Sequence, residues 1–126
     1  MEKKIVNTAS APAPIGPYSQ AVDIGSLLFI SGQIAMNPAT GHVEANNTAS
    51  ETKQVMENLK AILTEAGLDF NAILKTTIFL SDMSLFAAVN EVYGSYFTGG
   101  YPARETVAVK GLPKNVNVEI SMIAGR

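Results

Sequence analysis

The chain has 126 residues, of which 47% are apolar and only 16% charged, with a net charge of −2. That describes one domain with a real core and an unusually small supply of surface charge. It contains no cysteine, so disulfides, thiolate nucleophiles and cysteine-ligated zinc are excluded. The mild acidity and the scattered lysines and arginines leave no basic footprint for nucleic acid. With few charges to cover a small molecule, self-association is the expected way to remove apolar surface. Lys3 and Lys4 precede a run of only two apolar residues, and no stretch is long enough to span a bilayer, so a cytoplasmic protein without a membrane partner is expected.

In chain order, Lys3–Val6 reads as a short strand. Asn7–Pro17 holds three prolines and a glycine, which rule out helix and make an extended loop. It delivers Tyr18, either a packing anchor with its hydroxyl in water or a ligand contact. Ser19–Ile24 and Leu27–Ile30 flank Gly25-Ser26, a two-residue hairpin turn, and the second strand is expected to continue to Met36. Gly32 inside it marks either a bulge or a place where another group approaches the backbone. Ser31 beside it offers a hydroxyl. Asn37–Gly41 is a turn, and His42 follows it. As the only histidine, His42 cannot build a metal site, and nothing else argues for a Ser-His-Asp triad.

Thr48-Ala49-Ser50-Glu51 fits a capping box, and Gly67 fits the C-terminal glycine of a first helix. Val55, Leu59, Ile62, Leu63 and Ala66 recur at helical spacing between them, with Lys53, Glu57 and Lys60 on the other side. Ile73–Leu80 is apolar on both faces and is expected to be a central strand covered on both sides. A second helix runs from about Ser84 to Phe97 with a stripe of Phe86, Asn90, Tyr93 and Phe97. Asn90 either ties down nearby backbone or faces a polar pocket. Finally, Thr106–Val109 and Val116–Ile123 flank a turn-rich Lys110–Asn115 and predict an antiparallel hairpin. In that hairpin Arg104, Thr106, Glu119 and Ser121 share one face. Taken alone, such a patch is a solvated surface with a weak ion pair.

The order β-β-β, α, β, α, β-β predicts an α+β domain, a mixed sheet with two helices on one face. The open face is then too apolar to stay wet, so a second copy is expected to cover it and enclose the polar patch in a cleft between subunits. A desolvated arginine there calls for an anion, and its fork matches a carboxylate. Glu119 either neutralises Arg104 or stands apart and holds a water. The second arrangement has a carboxylate clamp and a base but no nucleophile, metal or nucleotide loop, which suits addition of water to an electrophilic small acid.

Gly16-Pro17-Tyr18-Ser19-Gln20-Ala21, Ser31-Gly32-Gln33, Pro102-Ala103-Arg104, Leu112-Pro113 and Val118-Glu119-Ile120 together resemble the RidA (YjgF) family of reactive imine deaminases, nearly end to end. The resemblance implies a single chorismate-mutase-like α+β domain over residues 1–126 and a homotrimer with three clefts. It further implies hydrolysis of 2-iminobutanoate and 2-iminopropanoate to 2-oxo acids and ammonia without cofactor or metal. By position, Arg104 is expected to clamp the substrate carboxylate and Glu119 to position the attacking water. Tyr18 would come from the neighbouring subunit, and Ser31, the Gly32 backbone and Asn90 would line the site. Thr106 stands where the family often has cysteine, and backbone groups there are expected to help hold ligand. Glu105 replaces a small residue and is expected to weaken anion binding or shift substrate preference. Two other readings accompany this one: a trimeric sensor or scaffold that binds small carboxylates without turnover, and a less supported ribonuclease or translation inhibitor.

Overall fold

Ile73–Leu80 is the strand around which the others are arranged. The computed structural model describes every residue from Met1 to Arg126. Its elements are β1 (Lys4–Val6), β2 (Ala21–Asp23), β3 (Leu27–Gln33), α1 (Thr48–Glu65), β4 (Ile73–Leu80), α2 (Phe86–Gly94), β5 (Ala103–Ala108) and β6 (Val118–Gly125). Short 3-10 turns occupy Phe70–Ala72, Met83–Leu85 and Pro113–Asn115. The strands form one mixed sheet in the order β1-β2-β3-β6-β4-β5. All neighbours are antiparallel except β4 and β5, which α2 joins as a parallel crossover. The fold is α+β, as expected.

Burial alternates along β6: Val118, Ile120, Met122 and Ala124 are buried, while Glu119, Ser121 and Ile123 are only half-buried. Register carries the alternation across the sheet, with Leu28 opposite Ala124, Ile30 opposite Met122, Ile78 opposite Ile120 and Leu80 opposite Val118. These residues join Val55, Leu59, Ile62 and Leu63 of α1 and Val89 and Tyr93 of α2 in one core. Both helices therefore cover the same face. The other face leaves Ile5, Phe29 and Val107 exposed at 50%, 41% and 42%. Within one chain β4 is interior but roofed on one side only, which corrects the expectation of cover on both.

The ends of α1 show how local chemistry sets an element. Its N-cap is Asn47, not Thr48: the Asn47 side chain accepts from Ser50 N at 2.8 Å, and Ser50 Oγ accepts from Asn47 N at 3.3 Å. The capping box thus lies one residue earlier than predicted, and Glu51 is left free of it. At the other end Leu68 N donates to Leu63 O and Gly67 N to Thr64 O, with Gly67 at φ +75°. That is a Schellman ending, and it requires the glycine. The second helix begins as a 3-10 turn capped by Asp82, becomes α at Phe86 and ends at Gly94.

The predicted hairpin between residues 106–109 and 116–123 does not exist. β4 lies between β5 and β6 and pairs with both. The intervening loop crosses the end of β4, where Val109 N bonds Leu80 O and Ser81 N bonds Asn117 O. The most apolar strand takes the interior position, where both of its edges and a full face are buried. The consequence for the predicted polar face is direct. Arg104 and Thr106 pair with Thr76 and Ile78 and point toward the helices, whereas Glu119 and Ser121 pair with Phe79 and Thr77 and point to the open side. The predicted convergence of these four side chains within one chain is therefore wrong. β3 also ends at Gln33 rather than Met36, which instead forms an isolated bridge with Val43.

Candidate functional site

Two partial sites result, one on each side of the sheet. The first is built on the β5 edge. The Arg104 guanidinium lies 5.1 Å from the centre of the Tyr93 ring and 5.7 Å from that of Phe86, a cation held on an aromatic shelf. Tyr93 is buried, and its hydroxyl donates to Thr76 Oγ1 at 2.9 Å, which fixes the shelf to β4. Burial raises the Tyr93 pKa, keeping that hydroxyl protonated. Arg104 makes no salt bridge, the ion pairs of the chain being Lys75–Glu105 and Asp23–Arg126. It borders an open hollow of about 490 Å³ with Asn90, Tyr93, Tyr101 and Pro102. Of the two readings of Asn90, the structure supports the polar pocket, since its side chain makes no hydrogen bond and faces Arg104's hollow. Thr106 follows on the same face, and its Oγ1 is the one buried side-chain oxygen or nitrogen in the chain without a partner.

The second partial site lies on the open face, at the bulge where β3 meets β6. Pairing steps from Ile30–Met122 to Gln33–Ile120, leaving Ser31 and Gly32 against one residue of β6. The Glu119 carboxylate lies directly on the Gly32 backbone: an added Cβ would stand 2.9 Å from Glu119 Cδ and 3.1 Å from Cγ. Gly32 is thus both of the things its position suggested, a bulge and a close approach, and the approaching group is the chain's own. Glu119 lines a cavity of about 60 Å³ with Tyr18, Gln20, Gln33, Pro113 and others from the proline loop. Nothing ion-pairs with it, and burial pushes its pKa above the ordinary carboxylate value. A carboxyl group whose charged form is disfavoured by burial holds a proton more readily than an exposed one.

The other expected residues are also placed. Tyr18 is 48% exposed and folds onto its own loop, its hydroxyl accepting from Ile15 N at 3.3 Å. Ser31 spends its hydroxyl on Ser19 O at 2.6 Å. Gln20, which the sequence did not single out for the site, holds the proline loop: its Oε1 accepts from Thr8 N, and its Nε2 donates to Thr8 O and Pro12 O. Glu105 points to the opposite face from Arg104 and binds Lys75 and Thr77, which lower its pKa. It therefore does not crowd the guanidinium of its own chain. His42 is exposed in its turn. No three His, Cys, Asp or Glu side chains gather to hold a metal ion, and no helix is long and apolar enough to cross a membrane.

The family model described as Endoribonuclease L-PSP matches residues 8–125. The mouse protein named 2-iminobutanoate/2-iminopropanoate deaminase is 46% identical, over 97% of this chain and 90% of its own. The YjgF gene product of E. coli superimposes with a TM-score of 0.93 at 47% identity, covering 98% of both chains. E. coli TdcF, solved with bound serine, does so with a TM-score of 0.94 at 45% identity, again over 98% of both. On sequence and fold alike, this chain belongs to the RidA (YjgF) family, the one its endoribonuclease L-PSP model describes.

Proposed function

We propose that this protein is a cofactor-independent 2-imino acid hydrolase that converts 2-iminobutanoate and 2-iminopropanoate to 2-oxo acids and ammonia, in clefts shared between copies of the chain. The observation that carries the reading is the division of the site. Arg104 has its aromatic shelf but no anion, Glu119 has its cavity but no cation, and the sheet stands between them. Because the two halves face opposite ways, one self-complementary interface does not engage both. A head-to-tail contact does, and such contacts form rings where the rotation between copies closes, the homotrimer being one such ring. The same contact covers Ile5, Phe29 and Val107, and removing a large apolar side chain from water contributes about 1.5–3 kcal/mol.

In the cleft Arg104 grips the substrate carboxylate in bidentate fashion. Tyr18, Ser31, the Gly32 backbone, Asn90 and the unpartnered Thr106 hydroxyl line the remainder. Glu119 from the adjoining copy accepts a proton from water as the water oxygen bonds to the protonated imine carbon. It returns that proton to nitrogen, the C–N bond breaks, and the hydroxyl proton leaves with ammonia as the 2-oxo acid forms. Imines are electrophilic already, so orientation supplies most of the acceleration. The names of the mammalian relatives support this chemistry. Serine bound to TdcF favours a second reading, small-carboxylate binding without turnover.

Ammonia release from 2-iminobutanoate generated in situ, measured against the buffer rate, separates the two. Arg104→Ala is expected to lose most of the activity while its circular dichroism and Tm stay within a few degrees of wild type. Wild-type turnover by that variant would defeat the assignment.

A further inference from the structure

Glu51 is completely buried, yet it belongs to neither ion pair of the chain. An acidic side chain in the first turns of a helix ordinarily stays at the surface near the unpaired N–H groups. Glu51 turns inward instead and accepts from Asn117 N at 2.7 Å, Val118 N at 3.0 Å and Asn117 Nδ2 at 3.1 Å. Asn117 is engaged on its other side as well: its backbone oxygen accepts from Ser81 N at 2.9 Å, and its Oδ1 from Ser81 Oγ at 2.9 Å. Every polar atom of Asn117 is therefore bonded, either to α1 or to the end of β4, two residues before Glu119.

The chain immediately upstream is strained. Lys114 and Asn115 both hold φ of 55°, a left-handed conformation that asparagine tolerates but lysine keeps only when its surroundings impose it. Pro113, next to that pair, lines the Glu119 cavity. We infer that Glu51 is a positioning residue for Glu119: through Asn117 and Val118 it fastens the start of β6 to α1. This keeps the strained turn against the cavity and the Glu119 carboxylate against Gly32. The lock works from the helix side of the sheet and never touches substrate. Releasing it admits solvent to the cavity, and the burial that raises the Glu119 pKa is then lost. Tyr18 is the only other titratable side chain lining that cavity, and Glu119's neighbour on β4 is the uncharged Phe79.

The kinetic half of the test rests on the proposed hydrolase activity; the titration half does not. Protein labelled with ¹³C-glutamate is titrated by NMR, with Glu119→Gln assigning the Glu119 signal, and kcat and KM for ammonia release are measured alongside. Glu51→Gln keeps an acceptor for both backbone N–H groups but turns its amide nitrogen toward Asn117 Nδ2, and is expected to move the midpoint and kcat far less than Glu51→Ala does. Glu51→Ala is expected to move the Glu119 midpoint down and to lower kcat by about 10- to 100-fold. KM should stay within about twofold, because the carboxylate clamp lies elsewhere. Asn117→Ala, which retains both backbone bonds to Glu51, is expected to shift the midpoint less in the same direction, and decides the matter if Glu51→Ala does not fold. A folded Glu51→Ala with the wild-type midpoint overturns the proposal, as does an unmoved midpoint in Asn117→Ala should it stand alone. Absence of ammonia release by wild type would defeat the hydrolase reading while leaving the titration to judge the lock.

Discussion

Replacing Gly32 with alanine probes the tightest contact of the Glu119 half-site. The new Cβ would lie 2.9 Å from Glu119 Cδ and nearer still to Oε2, whereas ordinary contacts begin at 3.4 Å. The carboxylate must therefore retreat by roughly 1 Å, a displacement of the size that costs about 100-fold in rate, or about 2.7 kcal/mol of transition-state stabilisation. Gly32 is not among the glycines of positive φ, so alanine brings no backbone strain, and the penalty is steric alone. Because Glu119 is a flexible side chain beside a cavity, the stability cost should stay near the lower end of the about 1–3 kcal/mol typical of overpacking. Ammonia release by Gly32→Ala, with urea unfolding run in parallel, is expected to show about 100-fold lower kcat in a folded protein. A folded variant turning over within a few fold of wild type would mean that the position of the carboxylate against residue 32 does not matter.

Glu119 also makes stability depend on pH in a stated direction. Burial raises its pKa above the ordinary 4.5, so ionisation costs more in the folded chain than in the unfolded one. Its contribution is fully present below the unfolded value and is lost as pH rises through the higher folded value. Wild type should therefore lose Tm relative to Glu119→Gln across that window and be the less stable of the two at pH 7. A gap that widens in the opposite sense contradicts the desolvated carboxylate. Tyr93→Phe leaves Thr76 Oγ1, completely buried, without the donor it now has, and urea titration should show a loss of about 1–3 kcal/mol. An unchanged midpoint would mean that the aromatic shelf is not anchored through that hydroxyl.

The helices and the interior strand were readable because their signals are local. The periodicity of Val55, Leu59 and Ile62 needs no knowledge of distant residues, and Gly67 ends α1 for a reason visible within one turn. The cap of α1 was misplaced, because asparagine at 47 competes with threonine at 48 for the same N–H groups, and α2 stops at Gly94 rather than Phe97. Strand partnership was not readable. Alternation tells which side chains share a face of their own strand, but not which strand lies alongside. Turn-rich residues 110–115 therefore suggested a hairpin where the chain actually steps across β4. That one error placed Arg104 and Thr106 on the face of Glu119 and Ser121, whereas they lie on the helix side. The candidate residues were named through the family resemblance, since on their own pattern Arg104 and Glu119 read as a solvated surface pair. The support around them was not legible. Gln20 and Glu51 act on backbone 8 or more residues away, and nothing in their own neighbourhoods announces it.

The central claim is that Arg104 and Glu119 meet only across two copies of the chain. Arg104→Ala and Glu119→Gln, each expected to be nearly inactive alone, are unfolded together in equal amounts, refolded and assayed for ammonia release. In a head-to-tail ring each cleft draws its arginine from one chain and its carboxylate from the next, so about a quarter of the clefts regain both. The mixture is expected to recover about a quarter of wild-type activity. A mixture no more active than its two components would place both residues' work within a single chain and contradict the account.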